Sequence, residues 1–111
     1  MPFSYGNQSG KILTGQAQIL VTAPTTNQQR AIRSLRIANS KSGSATIEFS
    51  LWYRDGSVDS IITESQLLPG QQAILGPDDL LVLDNTLATI VGKVVSGTKT
   101  LDYIASYGDL S

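Results

Sequence analysis

The sequence contains neither cysteine nor histidine. Without cysteine there is no disulfide staple and no thiolate, so stability must come from packing or assembly. Without histidine, the commonest zinc ligand and the usual proton acceptor near neutral pH are both missing. Charge is scarce as well. Only 15% of residues are charged and the net charge is −1. The basic residues are scattered, so no field forms that could hold a nucleic-acid backbone, and no nucleic-acid partner is expected. No apolar run approaches the ~18 residues of a membrane-spanning helix, and no membrane partner is expected. The opening residues, MPFSYGNQSGK, hold neither the basic nor the apolar stretch of a signal peptide, which predicts synthesis in the cytoplasm without a secretion step.

Ser, Thr, Asn and Gln fill the space that charge leaves. That mixture suits exposed strand faces and turns better than helix surfaces. The chain of 111 residues has room for one core, and a chain this short buries only about two-thirds of its unfolded surface. Association with copies of itself or with a partner would add burial.

Alternation of apolar and polar residues dominates, broken by turn chemistry every roughly eight to twelve residues, the mark of a sandwich or barrel. Residues 1–10 are polar and glycine-rich and read as a flexible N-terminal arm, leaving 11–111 as a single β-sandwich domain. A first strand is expected from Lys11 to Thr22, with Ala17, Ile19 and Val21 on one face, ending at Pro24. A second runs from Arg30 to Asn39, with Leu35 and Ile37 facing one way and Arg36 and Ala38 the other. The stretch Ser40-Lys41-Ser42-Gly43-Ser44 reads as a loop.

The clearest unit follows. Ile47, Phe49, Leu51 and Tyr53 alternate with Thr46, Glu48, Ser50 and Trp52, and Asp55-Gly56 then signals a type I′ hairpin. A loop of those two residues pairs Arg54 with Ser57, Tyr53 with Val58 and Phe49 with Ile62. A turn at Leu67-Leu68-Pro69-Gly70, a short strand from Gln71 to Leu75 and a turn at Gly76-Pro77-Asp78-Asp79 come next. A buried run from Leu80 to Leu83, a strand from Thr89 to Val95, a turn at Ser96-Gly97-Thr98 and a last strand from Leu101 to Tyr107 complete the chain. The expectation is an all-β, two-sheet antiparallel sandwich of about eight strands, of jelly-roll or immunoglobulin-like type.

Catalytic chemistry finds little support. Serine and threonine are plentiful, but no histidine activates one, and Lys11, Lys41, Lys93 and Lys99 lie in no Ser-x-x-Lys arrangement. Asp78-Asp79 and Asp84 sit in ordinary turn contexts without calcium-loop spacing. Gly6, Gly10 and Gly15 make no phosphate-cradling motif. The expectation is a non-enzymatic protein with no catalytic residue, cofactor or metal.

Aromatic residues are the candidates for an interface. Trp52 falls on the strand face opposite Phe49, where a neighbouring subunit could cover it; alternatively it is covered within the fold or paired with Asp59. Tyr103 and Tyr107 share one face of the last strand, as part of the core or as a contact surface. Phe3 and Tyr5 would anchor the arm if it adds to a neighbour. Arg30, Arg33 and Arg36 fall on both faces of a strand, so they form no anion stripe. At least one of them is expected near a sheet edge or interface, where guanidinium can make forked hydrogen bonds.

Several stretches carry a family resemblance: Ser34-Leu35-Arg36-Ile37-Ala38-Asn39, then Leu68-Pro69-Gly70-Gln71, Gly76-Pro77 leading into Leu81-Val82-Leu83, and Ala105-Ser106-Tyr107-Gly108-Asp109-Leu110. Over most of residues 12–110 the chain resembles small β-sandwich virion structural proteins of tailed bacteriophages. It departs from their pattern at Gly108-Asp109-Leu110, where a larger residue and Glu are expected. The resemblance implies a capsid decoration (cement) protein, or a tail, neck or fibre component, made in the host cytoplasm and carried in the virion. Its partners would be copies of itself, in three-fold or other symmetry, and a major capsid or tail protein. A carbohydrate- or receptor-binding module, with Trp52 flanked by Glu48, Arg54 and Asp59, is the alternative.

Overall fold

The computed structural model describes residues 3–13, 15–39, 46–76, 82–95 and 100–110. Among these residues there is no helix. The nine strands are β1 (Phe3–Ile12), β2 (Gln18–Val21), β3 (Gln29–Ala38), β4 (Ile47–Asp55), β5 (Val58–Leu67), β6 (Gln72–Leu75), β7 (Val82–Leu83), β8 (Ala88–Val94) and β9 (Leu101–Leu110). The expected loop at 40–44 and turn at 96–98 lie outside the described residues, as do residues 77–79 of the second turn and residues 80 and 81.

Two antiparallel sheets form. In one the order is β1-β9-β3-β6, with β7 also on β3; in the other it is β2-β8-β4-β5. The first strand pairs with the last, the second with the next to last, and the third with the short β6 and β7. The fourth pairs with the fifth. The chain is therefore one long hairpin, folded at the β4–β5 turn and rolled into two layers, which is the jelly-roll topology. An immunoglobulin-like sandwich does not pair its first strand antiparallel with its last, as β1 and β9 pair here. That decides between the two sandwich types.

The inward rows of both sheets supply the core. Leu35 and Ile37 of β3, Ile47, Phe49 and Leu51 of β4, Ile90 and Val94 of β8, and Leu101 and Ala105 of β9 are all buried in it. Each large aliphatic or aromatic side chain buried this way stabilises the sandwich by about 1.5–3 kcal/mol. The alternation expected along β3 and β4 is thus the alternation observed. At the far end, Asn39 donates from Nδ2 to the Leu67 carbonyl at 2.9 Å and links the two layers. The Leu68-Pro69-Gly70-Gln71 turn is closed by the Gln71 amide donating to the Leu68 carbonyl at 3.0 Å.

Three expectations change. Residues 3–10 of the segment read as a flexible arm are the body of β1, which pairs with β9 along the strand's whole length. Its polar composition reflects an edge position rather than a lack of structure. The strand expected from Lys11 to Thr22 is two strands in different sheets, because the chain crosses over near Gly15, whose φ is 75°. A bulge between Ile19 and Val21 then turns Ile19 outward and leaves Leu20 and Val21 buried.

The β4–β5 hairpin forms, but around Gly56-Ser57. Asp55 pairs with Val58, Arg54 with Asp59 and Tyr53 with Ser60. Only Gly56 takes a positive φ, 62°. A positive φ at the first central position alone defines a type II′ turn, so the loop slides one residue from the type I′ expectation. The slid loop shifts the partner of Phe49 by two residues and a bulge between Leu51 and Trp52 by one more, so Phe49 lies opposite Ser65 instead of Ile62.

Candidate functional site

Trp52 projects from the outer face of the β2-β8-β4-β5 sheet. Its neighbours across β8 and β5 are Val91 and Ile61, and Val91 in turn faces Ile19 of β2. Side chains directly opposite one another share a face. The four therefore form one apolar row, Ile19–Val91–Trp52–Ile61, running across the whole sheet. Val91 is fully buried yet stands apart from the interior cluster, flanked in the row by Ile19 and Trp52. The ends of the row are open: Ile19 is 53% exposed and Ile61 63%.

Polar residues flank the row on both sides. Toward the hairpin tip, Arg54 donates to both carboxylate oxygens of Asp59, from Nε at 2.8 Å and from Nη2 at 3.2 Å. This pairing holds the Asp59 carboxyl below the usual carboxylate range. The Arg54 guanidinium also lies 5.8 Å from the Trp52 ring centroid. Toward the other end, Lys93, Ser50 and Glu64 form the next cross-strand row. The Trp52 indole Nε1 is buried without a hydrogen-bond partner, the one such side-chain atom among the described residues. Leaving such a donor unmet costs about 1–3 kcal/mol.

Of the residues named for a sugar site, Arg54 and Asp59 flank Trp52 on the side of the hairpin tip. Trp52 faces Ile61 rather than Asp59, Arg54 and Asp59 are occupied with each other, and Glu48 pairs with Gln66 further along β4. The hairpin loop at Gly56-Ser57 sets the pairings of Arg54 and Trp52, and the bulge between Leu51 and Trp52 shifts only the pairs further along, including Glu48 with Gln66.

The remaining candidates lie in the other sheet. Tyr103 and Tyr107 face inward and pack against the core. Burial pushes the Tyr103 phenol above its ordinary value. Tyr107 lies beneath Arg30, whose guanidinium is 4.1 Å from the ring centroid. Tyr5 stands on the outer face of β1 opposite Gly108, 67% exposed, with Arg33 over its ring at 4.5 Å. Phe3 is paired with Leu110 at the end of the same ladder. The structure thus separates Trp52 from the four other aromatic candidates, which are on β1 and β9.

Of the three arginines, Arg30 makes the forked contact. It donates to Asp109 at 2.8 Å and 3.1 Å, and to the carbonyl and Oγ1 of Thr22 at 2.8 Å and 2.9 Å. The clasp ties β3 and β9 to the end of β2 in the opposite sheet. Asp109, in the Gly108-Asp109-Leu110 stretch, is therefore half of a largely buried ion pair.

A surface cleft of about 490 Å³ opens at one end of the sandwich, lined by Thr26, Asn27, Asp84, Asn85, Thr86 and Leu110 among others. It carries no aromatic ring, and Asp84 already accepts from Asn85 Nδ2 at 3.2 Å. Asp78 and Asp79 lie outside the described residues. Among the described residues no three acidic side chains gather as a metal site, and no helix is long and apolar enough to cross a membrane.

No family model and no curated protein sequence matches the chain. Solved structures do. One, described as Bacillus endospore appendages that form a novel family of disulfide-linked pili, aligns at 10% identity with a TM-score of 0.60, covering 96% of this chain and 86% of that one. Another, the T13 viral particle of IBDV, aligns at 6% identity with a TM-score of 0.41, covering 96% of this chain and 39% of that one. The first likeness establishes a shared fold, and the second spans well under half of its counterpart.

Proposed function

We propose that this chain is a non-enzymatic structural subunit of a repetitive surface assembly and works by binding copies of itself and a larger shell protein. In its most specific form it is a decoration protein of a phage capsid; a tail, neck or fibre position is the alternative. The observation that carries this reading is the apolar row Ile19–Val91–Trp52–Ile61, open at both ends on an outward sheet face. Aromatic and aliphatic side chains at the centre of a face with polar residues on either side are the composition of protein interfaces. The fold likeness to an endospore appendage protein supports a place among self-assembling subunits. That appendage is disulfide-linked, whereas this chain has no cysteine. Its assembly must therefore rest on many modest noncovalent contacts.

Light scattering on the full chain, across a concentration series, tests the proposal. The chain is expected to run well above its 11.8 kDa monomer mass, and Ile61→Lys, which places a charge at the open end of the row, is expected to weaken self-association at least about tenfold, the size of effect a central interface side chain carries. A chain that stays monomeric at every concentration and binds no shell protein overturns it.

A further inference from the structure

β1 is an edge strand that, like the other ten-residue edge strand β5, gives only one buried side chain to the core. The residues that alternate toward the opposite layer are Ser4, Gly6, Gln8, Gly10 and Ile12, and only Ile12 joins the apolar core. Gly6 and Gly10 sit opposite Tyr107 and Tyr103. A Cβ at Gly6 would come within 2.7 Å of the Tyr107 ring, and one at Gly10 within 3.4 Å of the Tyr103 ring. The Tyr107 ring thus lies close over Gly6, the Tyr103 ring lies beside the exposed Gly10, and β1 inserts almost nothing of its own.

What fixes β1 is its ladder with β9 and a few polar matches. Gln8 donates from Nε2 to Thr22 Oγ1 at 2.7 Å and accepts at Oε1 from the Thr22 amide at 3.0 Å. Ser106 Oγ donates to Asn7 Oδ1 at 2.9 Å, and Lys11 pairs with Asp102 at 2.7 Å. Every one of these partners belongs to β9 or to the end of β2. None of these partners is part of β1 itself, and Ile12 is the one fully buried apolar side chain that leaves the core with β1.

From this geometry we infer that β1 is an exchangeable strand, which docks on β9 of a second copy of this chain in the assembled state. The inference rests on the self-association reading above and specifies its mechanism. The occupant is a second copy because the berth that β1 occupies is matched to this sequence at each position: rings beside glycines, Asp102 for Lys11, Ser106 for Asn7, Thr22 for Gln8. Residues 13–17 would form the hinge. Fully extended they span about 17 Å, so donor and acceptor must lie side by side. Strand exchange makes no new type of contact, only the same contacts between chains, which is why it is a low-cost route to association.

The test uses the absence of native cysteine. Full chains carrying Asn7→Cys alone and Ser106→Cys alone are mixed in denaturant, refolded together at high concentration and oxidised under mild conditions. The asymmetric 7–106 disulfide is expected to exceed the two symmetric disulfides combined by about tenfold, because a docked strand raises the effective concentration of that pair alone. If the chains self-associate by light scattering but the asymmetric product stays at its statistical share, exchange is overturned while the assembly reading stands. If every mixture remains monomeric, the assembly reading is overturned and exchange with it.

Discussion

Replacing Asp109 by Asn keeps the shape of the side chain, removes its charge and turns one of its two acceptors into a donor facing Arg30. In the native fold both side chains are nearly out of solvent, 10% and 14% exposed for Arg30 and Asp109. The guanidinium is further enclosed by the Tyr107 ring and the Thr22 carbonyl. Removing one partner of a buried pair costs about 3–5 kcal/mol, because the other charge is left in a poorly solvated place. Arg30 keeps its bonds to Thr22, so the lower end, about 3 kcal/mol, applies.

Urea unfolding at fixed chain concentration measures the loss; concentration must be held because self-association shifts apparent stability. With a slope of about 1.5 kcal/mol/M, the midpoint falls by about 2 M. The pair Arg30→Leu with Asp109→Leu is expected to recover much of what either single change loses, since two apolar groups leave no orphan charge. A loss below about 1 kcal/mol would place the clasp with ordinary surface ion pairs and refute the reasoning, and strict additivity in the double variant would do the same.

Gly6→Ala is expected to lower stability by about 1–3 kcal/mol, as its Cβ would collide with the Tyr107 ring, while Gly10→Ala is expected within about 0.5 kcal/mol of the parent because its Cβ makes ordinary contact. Thermal midpoints of the two variants check this, and equal midpoints would contradict it. Burial raises the phenol pKa of Tyr103, and burial followed by the charges of Asp55 and Asp84 raises that of Tyr53. The folded state then holds these protons more tightly than the unfolded chain, so their contribution is complete below the ordinary tyrosine value of about 10 and is lost as pH rises through the raised values. Urea midpoints measured through this alkaline range should fall, and less so in Tyr103→Phe; a flat profile would count against it.

Local signals were legible in the sequence, and pairing between distant segments was not. The strand alternation of β3 and β4 could be read directly, since one buried face imposes a period of two. The hairpin could be located but not registered, because Asp55-Gly56 and Gly56-Ser57 both offer a loop with glycine in it. The hairpin register puts Ile61 beside Trp52, and the bulge next to Ile19 helps decide which residues of β2 reach the surface; no local periodicity announces either. The strand character of residues 3–10 was hidden because its support comes from the other end of the chain. One signal was present: the spacing of Gly6 and Gly10 reappears in Tyr103 and Tyr107, with the larger residue opposite the smaller in each cross-strand pair.

That pairing of first strand with last also bears on how the fold opens. The β4–β5 hairpin closes a turn, whereas β1 on β9 closes nearly the whole chain, and loop-closure entropy grows with the length closed. β1 recovers that entropy with one buried apolar side chain, Ile12, while β8, lying between β2 and β4, buries Ala88, Ile90, Val91 and Val94. β1 should therefore open at a lower free energy than β8, since opening free energies follow buried apolar contact. Hydrogen exchange followed by mass spectrometry, at low chain concentration, should show peptides from β1 exchanging through a low-energy opening well before those from β8. Equal protection of the two strands would mean that the ladder and its polar matches hold β1 as firmly as apolar burial holds β8, and the physical basis for strand exchange would fall.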